Sequence, residues 1–73
     1  KAVERLKARP PQADINDVER VLEGFGWSRS RQRGSHVMFT KPGELPVSVP
    51  LVGGRRVKRV YGDLICERLG LDD

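Results

Sequence analysis

The sequence is poor in the residues that form disulfides, metal sites and membrane spans. Its 73 residues include one cysteine, Cys66, and one histidine, His36. A disulfide within the chain is therefore impossible, and these two side chains cannot supply the four ligands of a structural zinc site. No apolar run approaches the roughly 18 residues of a membrane span, and no signal-like segment opens the chain. We predict a cytoplasmic protein that uses no metal ion, small-molecule cofactor or membrane.

The shortness of the chain limits its architecture. Seventy-three residues leave too little chain for two hydrophobic cores, so we predict one domain over residues 1–73. A deep substrate cavity or a bound dinucleotide is excluded by the same limit.

Positive charge is abundant and concentrated in the middle of the chain. The 14 basic and 10 acidic residues give a net charge of +4. Residues 27–60 hold eight of the basic side chains and one acidic side chain, Glu44. Such a band attracts polyanions, which favours nucleic-acid binding over a merely solvated basic face.

Two helices are predicted in the first third of the chain. A short amphipathic helix opens the sequence and ends at Pro10, and an extra packing helix is the simplest role for it. Asn16 is then a candidate N-cap, with Glu19 three residues on. Apolar residues follow at helical spacing as far as Phe25, and the helix should stop near Gly24.

Three strands are predicted in the middle of the chain. The alternation over residues 28–33 puts three arginines on one side of a strand: Arg29, Arg31 and Arg33. In the next strand, residues 35–40, Val37 and Phe39 point inward, and His36 points the other way. Residues 41–44 have the Pro and Gly positions of a type II turn. A third strand follows over residues 45–49, and its prolines suggest a sheet edge.

Apolar residues at helical spacing from Val57 to Leu69 predict a closing helix that stops at Gly70. Gly62 lies inside this pattern and costs about 1 kcal/mol relative to alanine. The predicted fold class is α+β, in the order α-β-β-β-α with a short extra N-terminal helix. Two helices cover one face of a three-stranded antiparallel sheet.

His36 follows directly after Arg31, Arg33, Gly34 and Ser35. Imidazole exchanges a proton near neutral pH, and cations stabilise the charge that builds on a phosphate under attack. This combination suits metal-free cleavage of RNA, in which the ribose 2′-hydroxyl attacks the adjacent phosphorus. A histidine that only contacts phosphate, or a plain surface histidine, fits the same residues.

Four segments in order resemble the HicA family, the toxins of bacterial and archaeal toxin–antitoxin pairs. They are Gly24-Phe25-Gly26-Trp27, Gln32-Arg33-Gly34-Ser35-His36, Val47-Ser48-Val49-Pro50, and Arg55-Arg56-Val57-Lys58 before the last helix. The resemblance covers about residues 16–71. Val37 stands where many relatives have a second histidine, and Tyr61-Gly62 stands where they commonly have Thr-Leu.

The resemblance implies a fold similar to double-stranded-RNA-binding domains and a metal-independent endoribonuclease acting on mRNA. Its catalytic residue would be the histidine of the Gly-Ser-His motif, His36. The implied protein partner is a HicB-like antitoxin that covers the active site.

Further site residues are predicted around His36. The expected phosphate contacts are Arg31, Arg33, Lys41 and Lys58, and Ser35 is a positioning hydroxyl. Tyr61 and Lys58 are candidates for a second proton carrier.

Two other functions fit the sequence. A non-catalytic RNA-binding module of the same fold would use the basic run from Arg55 to Arg59, since double-stranded RNA is read by shape and 2′-hydroxyls. A protein-interaction module would dock its partner on the edge strand and on an exposed Trp27.

Overall fold

The computed structural model describes residues 1–71 and confirms the predicted α+β fold class. In chain order its elements are α1 (Ala2–Lys7), β1 (Gln12–Asp14), α2 (Ile15–Gly24), β2 (Ser28–Arg33), β3 (His36–Thr40), β4 (Val47–Pro50), β5 (Arg56–Lys58) and α3 (Arg59–Leu69).

The main sheet is the predicted antiparallel meander, with strand order β2-β3-β4. The turn before β4 has type II features: the amide of Glu44 donates to the carbonyl of Lys41 at 3.1 Å, and Gly43 has a φ of +82°. Strand β4 lies at a sheet edge, as its prolines predict. It begins at Val47, whereas Leu45 lies outside it and is 77% exposed.

One face of this sheet forms part of the hydrophobic core. Val37 and Phe39 of β3 and Val49 of β4 are fully buried. They belong to one cluster with apolar side chains of α2 and α3: Val18, Val21, Leu22, Ile65 and Cys66. The alternation of β3 and β4 and the helical spacing of α2 therefore point their apolar side chains to a common interior, as predicted.

The N-cap of α2 is Asp14, and the prediction of Asn16 is wrong by two residues. The Asp14 carboxylate accepts a hydrogen bond from the amide of Asn16 at 2.8 Å. Both residue types cap helices well, and the sequence spacing favoured Asn16 because Glu19 completes a capping-box pattern with it.

A second, two-stranded sheet was not predicted from the sequence. It pairs β1 with β5, and Ala13 faces Val57 in its register. Each strand has only three residues, and one of them is buried. Strands this short do not show the alternation of apolar and polar residues by which a strand is recognised in a sequence. Val57 therefore belongs to a strand, and α3 begins at Arg59.

Helix α3 buries Ile65 and Cys66, but two other apolar residues of the predicted helical pattern are exposed. Val60 is 62% exposed, and Leu64 is 41% exposed. The sequence pattern predicted too wide an apolar face for this helix, because it included Val57, which belongs to β5.

Helix α1 packs on both α2 and α3, consistent with the packing role expected for it. Leu6 is 1% exposed and joins the core. Arg5 makes two hydrogen bonds of 2.9 Å to the Asp17 carboxylate on α2. This contact holds the pKa of Asp17 below its ordinary value, mainly through the hydrogen bond from Arg5.

Trp27 is buried at 3% exposure, so the expectation that it forms an exposed docking residue is wrong. Its ring packs under the Arg68 guanidinium, whose carbon lies 5.2 Å from the ring centroid. Arg68 also donates to the carbonyl of Leu45 at 2.7 Å. These contacts connect α3 to the start of β2 and to the chain before β4.

We expect Gly62→Ala to raise the free energy of unfolding by about 0.5–1 kcal/mol, because alanine favours the helical backbone. A Cβ at this position would meet the Leu6 Cδ1 at 3.5 Å, an ordinary van der Waals contact. Urea unfolding measures the change.

The control is Gly70→Ala, which should lower stability by about 1–2 kcal/mol, since Gly70 caps α3 with a φ of +72°. Equal effects of the two variants would contradict this account.

The Arg5–Asp17 contact makes stability depend on pH. Because the pKa of Asp17 is lowered by folding, its contribution is present above the unfolded value and is lost as pH falls through the folded value. Asp17→Asn should therefore be less stable than the parent at pH 7, and the difference should disappear at acidic pH.

Urea titrations from pH 7 to pH 2 measure this difference. In an Arg5→Gln background the same Asp17→Asn substitution should change stability little at any pH. A difference between parent and Asp17→Asn that stays constant with pH would contradict the assignment.

Candidate nucleic-acid interface

The open face of the main sheet carries part of the predicted site, including His36. Two rows of paired residues cross it. In the first, Arg33 of β2 pairs with His36 of β3, which pairs with Pro50 of β4. In the second, Arg31 pairs with Met38, which pairs with Ser48. We call these the histidine row and the methionine row.

Both rows point away from the core, because the residues between them on β3 and β4, Val37 and Val49, point into it.

A cleft of about 330 Å³ lies on this face. Five side chains line it: Arg31, Arg33, His36, Met38 and Ser48. His36 is exposed, and Met38 is half-buried. The structure thus brings together three of the predicted site residues, which are His36 and two arginines. Two guanidinium groups and a hydroxyl over an apolar floor can bind a phosphodiester, and an imidazole beside them can exchange a proton with a neighbouring hydroxyl group.

Arg29 does not share this face, and the prediction of three aligned arginines is wrong. The register of β2 shifts between Arg29 and Arg31, where an extra residue, Ser30, is inserted opposite β3. Arg29 consequently pairs with Phe39 and forms an ion pair of 3.1 Å with Glu19 of α2. The sequence alternation cannot reveal a bulge in a strand whose six side chains are all exposed.

The turn that precedes His36 is held by two hydrogen bonds. The carbonyl of Ser35 accepts from the amide of Leu51 at 2.7 Å, and the Gln32 side chain donates to the carbonyl of Gly34 at 3.0 Å. A Cβ added at Gly34 would meet no atom of residues 1–71 within 4 Å, so the backbone here is open to a ligand. Ser35 is exposed in this turn, next to His36 but outside the cleft lining.

Lys41 and Lys58 lie apart from the cleft. Lys41 follows the far end of β3, and its Nζ donates to the carbonyl of Phe25 at 2.8 Å. Lys58 belongs to the two-stranded sheet and pairs with Gln12. Tyr61 is half-buried beside Val60 and Leu64 on α3. Neither candidate for the second proton carrier, Tyr61 or Lys58, lines the cleft.

Sequence reasoning missed Met38 and Ser48 as site residues. The signal was present, since Met38 is two residues from His36 on the same strand and Ser48 alternates with buried Val47 and Val49. The pairing of β3 with β4 brings them together, and that register is not visible in the sequence.

Within residues 1–71, no three His, Cys, Asp or Glu side chains are grouped so that they could hold a metal ion. No helix in this range is both long and apolar enough to cross a membrane.

The fold and the cleft define a small α+β protein with a basic, histidine-bearing sheet face. The family model described as "HicA toxin of bacterial toxin-antitoxin" matches residues 15–71 of the 73, and the chain belongs to this family. The family is that of toxins in toxin–antitoxin systems, and it implies a cognate antitoxin partner. No match was found among curated proteins or among solved structures.

Arg31 and Arg33 line the cleft, whereas Arg29 pairs with Glu19. We therefore expect substitutions of these arginines to affect polyanion binding differently. Arg31→Ala and Arg33→Ala should each weaken binding of a single-stranded 2′-O-methyl oligoribonucleotide. Each should also reduce the slope of log K against log salt concentration by about 0.7, the value for one lost phosphate contact. Arg29→Ala is the matched control, since it removes the same charge from the same strand. Its slope should stay near that of the parent. Equal slopes in all three variants would mean that the salt dependence follows the net charge alone, which would contradict the prediction.

Proposed function

We propose that the protein is a metal-independent endoribonuclease that cuts mRNA at the cleft on the open sheet face, with His36 as general acid and base. The observation that carries this proposal is the histidine row, in which an exposed imidazole lies beside an arginine in the strand register. Family membership supports nuclease activity at the level of the family.

His36 is the proton carrier by elimination among the residues that line the cleft. Arginine keeps its proton in proteins, methionine has none to exchange, and a serine hydroxyl is not a base at neutral pH. Histidine exchanges a proton near neutral pH and is well suited to general acid–base catalysis.

The reaction needs no other reactant than the RNA. The imidazole takes the proton of the ribose 2′-hydroxyl, and the 2′-oxygen forms a bond to the adjacent phosphorus. The bond from phosphorus to the 5′-oxygen of the next nucleotide breaks, and that oxygen takes up the proton from the His36 imidazolium, which returns to its neutral form. The products are a 2′,3′-cyclic phosphate and a 5′-hydroxyl. Arg33, opposite His36 in the register, would stabilise the negative charge on the phosphate oxygens.

The other predicted site residues have more peripheral roles in this proposal. Ser35 would supply a positioning hydroxyl beside His36, at the entry to β3. Lys41 and Lys58 would contact phosphates of the RNA strand beyond the cleft, because both lie on other parts of the surface.

The antitoxin partner would bind the same surface. A protein that covers the open sheet face would exclude RNA from the cleft, and a HicB-like antitoxin that presents acidic side chains there would pair with Arg31 and Arg33. Inhibition would then follow from occupation of the cleft.

His36→Ala should reduce RNA cleavage by about 10²- to 10⁴-fold, the usual contribution of a general acid–base group. Its melting temperature should match that of the parent, because the ring is exposed. Cleavage is measured on labelled RNA with EDTA present, and a substrate with one 2′-deoxyribose at the cut position should resist cleavage there. Unchanged cleavage by the variant would remove His36 from the mechanism.

Two controls complete this experiment. Arg20→Ala changes an exposed residue of α2 and should leave cleavage unchanged. Expression of the parent should arrest bacterial growth, and His36→Ala should relieve the arrest. If the parent binds RNA with strong salt dependence but yields no product, the non-catalytic RNA-binding module is the correct function.

A further inference from the structure

The cleavage chemistry uses the histidine row and leaves Met38 and Ser48 of the methionine row without a role. Met38 and Ser48 contribute neither charge nor an exchangeable proton near neutral pH, yet both line the cleft with Arg31. A phosphate bound between Arg33 and His36 does not require an apolar floor.

The two rows are neighbours on the same face. Met38 is two residues beyond His36 on β3, so the rows are about 7 Å apart. Arg31 lies directly opposite Met38, and Cβ atoms in such pairs are about 5 Å apart, within reach of a long side chain. Met38 is half-buried on the central strand, and Ser48 is exposed on the edge strand.

We infer that the Arg31–Met38–Ser48 row is a nucleobase subsite, which accepts one unpaired base of RNA beside the phosphate held by Arg33 and His36. This inference rests on the proposed function and adds the structural class of its substrate, which is single-stranded RNA.

Each side chain of the row can contact a different part of a base. A methionine thioether packs favourably on aromatic rings, and a guanidinium stacks on the flat face of a base. The Ser48 hydroxyl can donate or accept a hydrogen bond at the base edge, which is the group that distinguishes one base from another. The aromatic residues Trp27 and Phe39 are buried in the core, so Met38 and Arg31 provide the stacking surface of this cleft.

The size of the cleft agrees with this occupant. Its volume of about 330 Å³ lies at the lower end of the range for small-molecule sites, roughly 300–1,000 Å³. A base in a duplex has its faces covered by its neighbours and is not available to this surface.

The sequence offers unique reporters for a binding test. Met38 is the single methionine of the chain, and Trp27 is the single tryptophan. Methyl-labelled Met38 therefore reports on the cleft, whereas the Trp27 indole reports on the core. The probes are the four nucleoside 3′-monophosphates, with ribose 5-phosphate as the probe that carries phosphate without a base.

At least one nucleotide should shift the Met38 methyl resonance and bind about 10-fold or more tightly than ribose 5-phosphate, as expected for one stacked base. The Trp27 indole resonance should stay in place. Equal affinity for the nucleotides and ribose 5-phosphate, or an unmoved Met38 methyl, would overturn the subsite.

Ser48→Ala tests the selectivity of the subsite. It should change the order in which the four nucleotides bind and the base preference at the cut position in RNA. Ser28→Ala is the matched control, because Ser28 is an exposed serine that pairs with Thr40 at the far end of the sheet. It should leave both properties unchanged. An unaltered base order in Ser48→Ala would remove Ser48 from base recognition.

The two proposals fail in different ways. RNA cleavage that depends on His36, without any preference for nucleotides over ribose 5-phosphate, would refute the subsite and leave the nuclease. Nucleotide binding at Met38 without cleavage by the parent would refute the nuclease and retain the base subsite in an RNA-binding protein.

Discussion

The alternation of side chains along β3 is the constraint on which the site depends. Val37 and Phe39 are fully buried between the sheet and the helices, so His36 and Met38 must point to the opposite face. A slip of one residue would bury the imidazole and expose both apolar side chains. The hydrophobic effect at two core positions thus orients the candidate catalytic group, although neither core residue lines the cleft. The same alternation in β4 exposes Ser48 between Val47 and Val49.

A single irregularity divides the charge of β2 between the two faces of the sheet. The extra residue at Ser30 turns Arg29 towards Glu19, and Arg31 and Arg33 remain beside the cleft. A regular strand would place all three guanidinium groups on one surface. The bulge therefore gives one arginine a structural contact with α2 and leaves the other two for a ligand. Bulges commonly redirect side chains near functional sites.

The parts of the chain outside the main sheet support the cleft indirectly. The bond between the Ser35 carbonyl and the Leu51 amide connects the turn before His36 to the segment after β4. Strand β5 follows that segment, and the small sheet that it forms with β1 adds Ala13 and Val57 to the core. Helix α1 and strand β1 precede the range that matches the HicA family, yet Leu6 and Ala13 are both buried. These N-terminal residues complete the core beneath α2 and α3.

The sequence by itself determined the fold class, the inward and outward faces of β3, the turn at residues 41–44 and the candidate His36. These features follow from local rules, because periodicity, turn residues and short motifs act over a few neighbouring positions. The tertiary structure alone decided the bulge that separates Arg29 from Arg31, the pairing of β1 with β5 and the burial of Trp27. It also decided which residues join His36 across the sheet. Met38 lies on the same strand as His36, but Arg33 and Ser48 come from the two neighbouring strands. The register between strands depends on contacts between segments that are distant in the sequence.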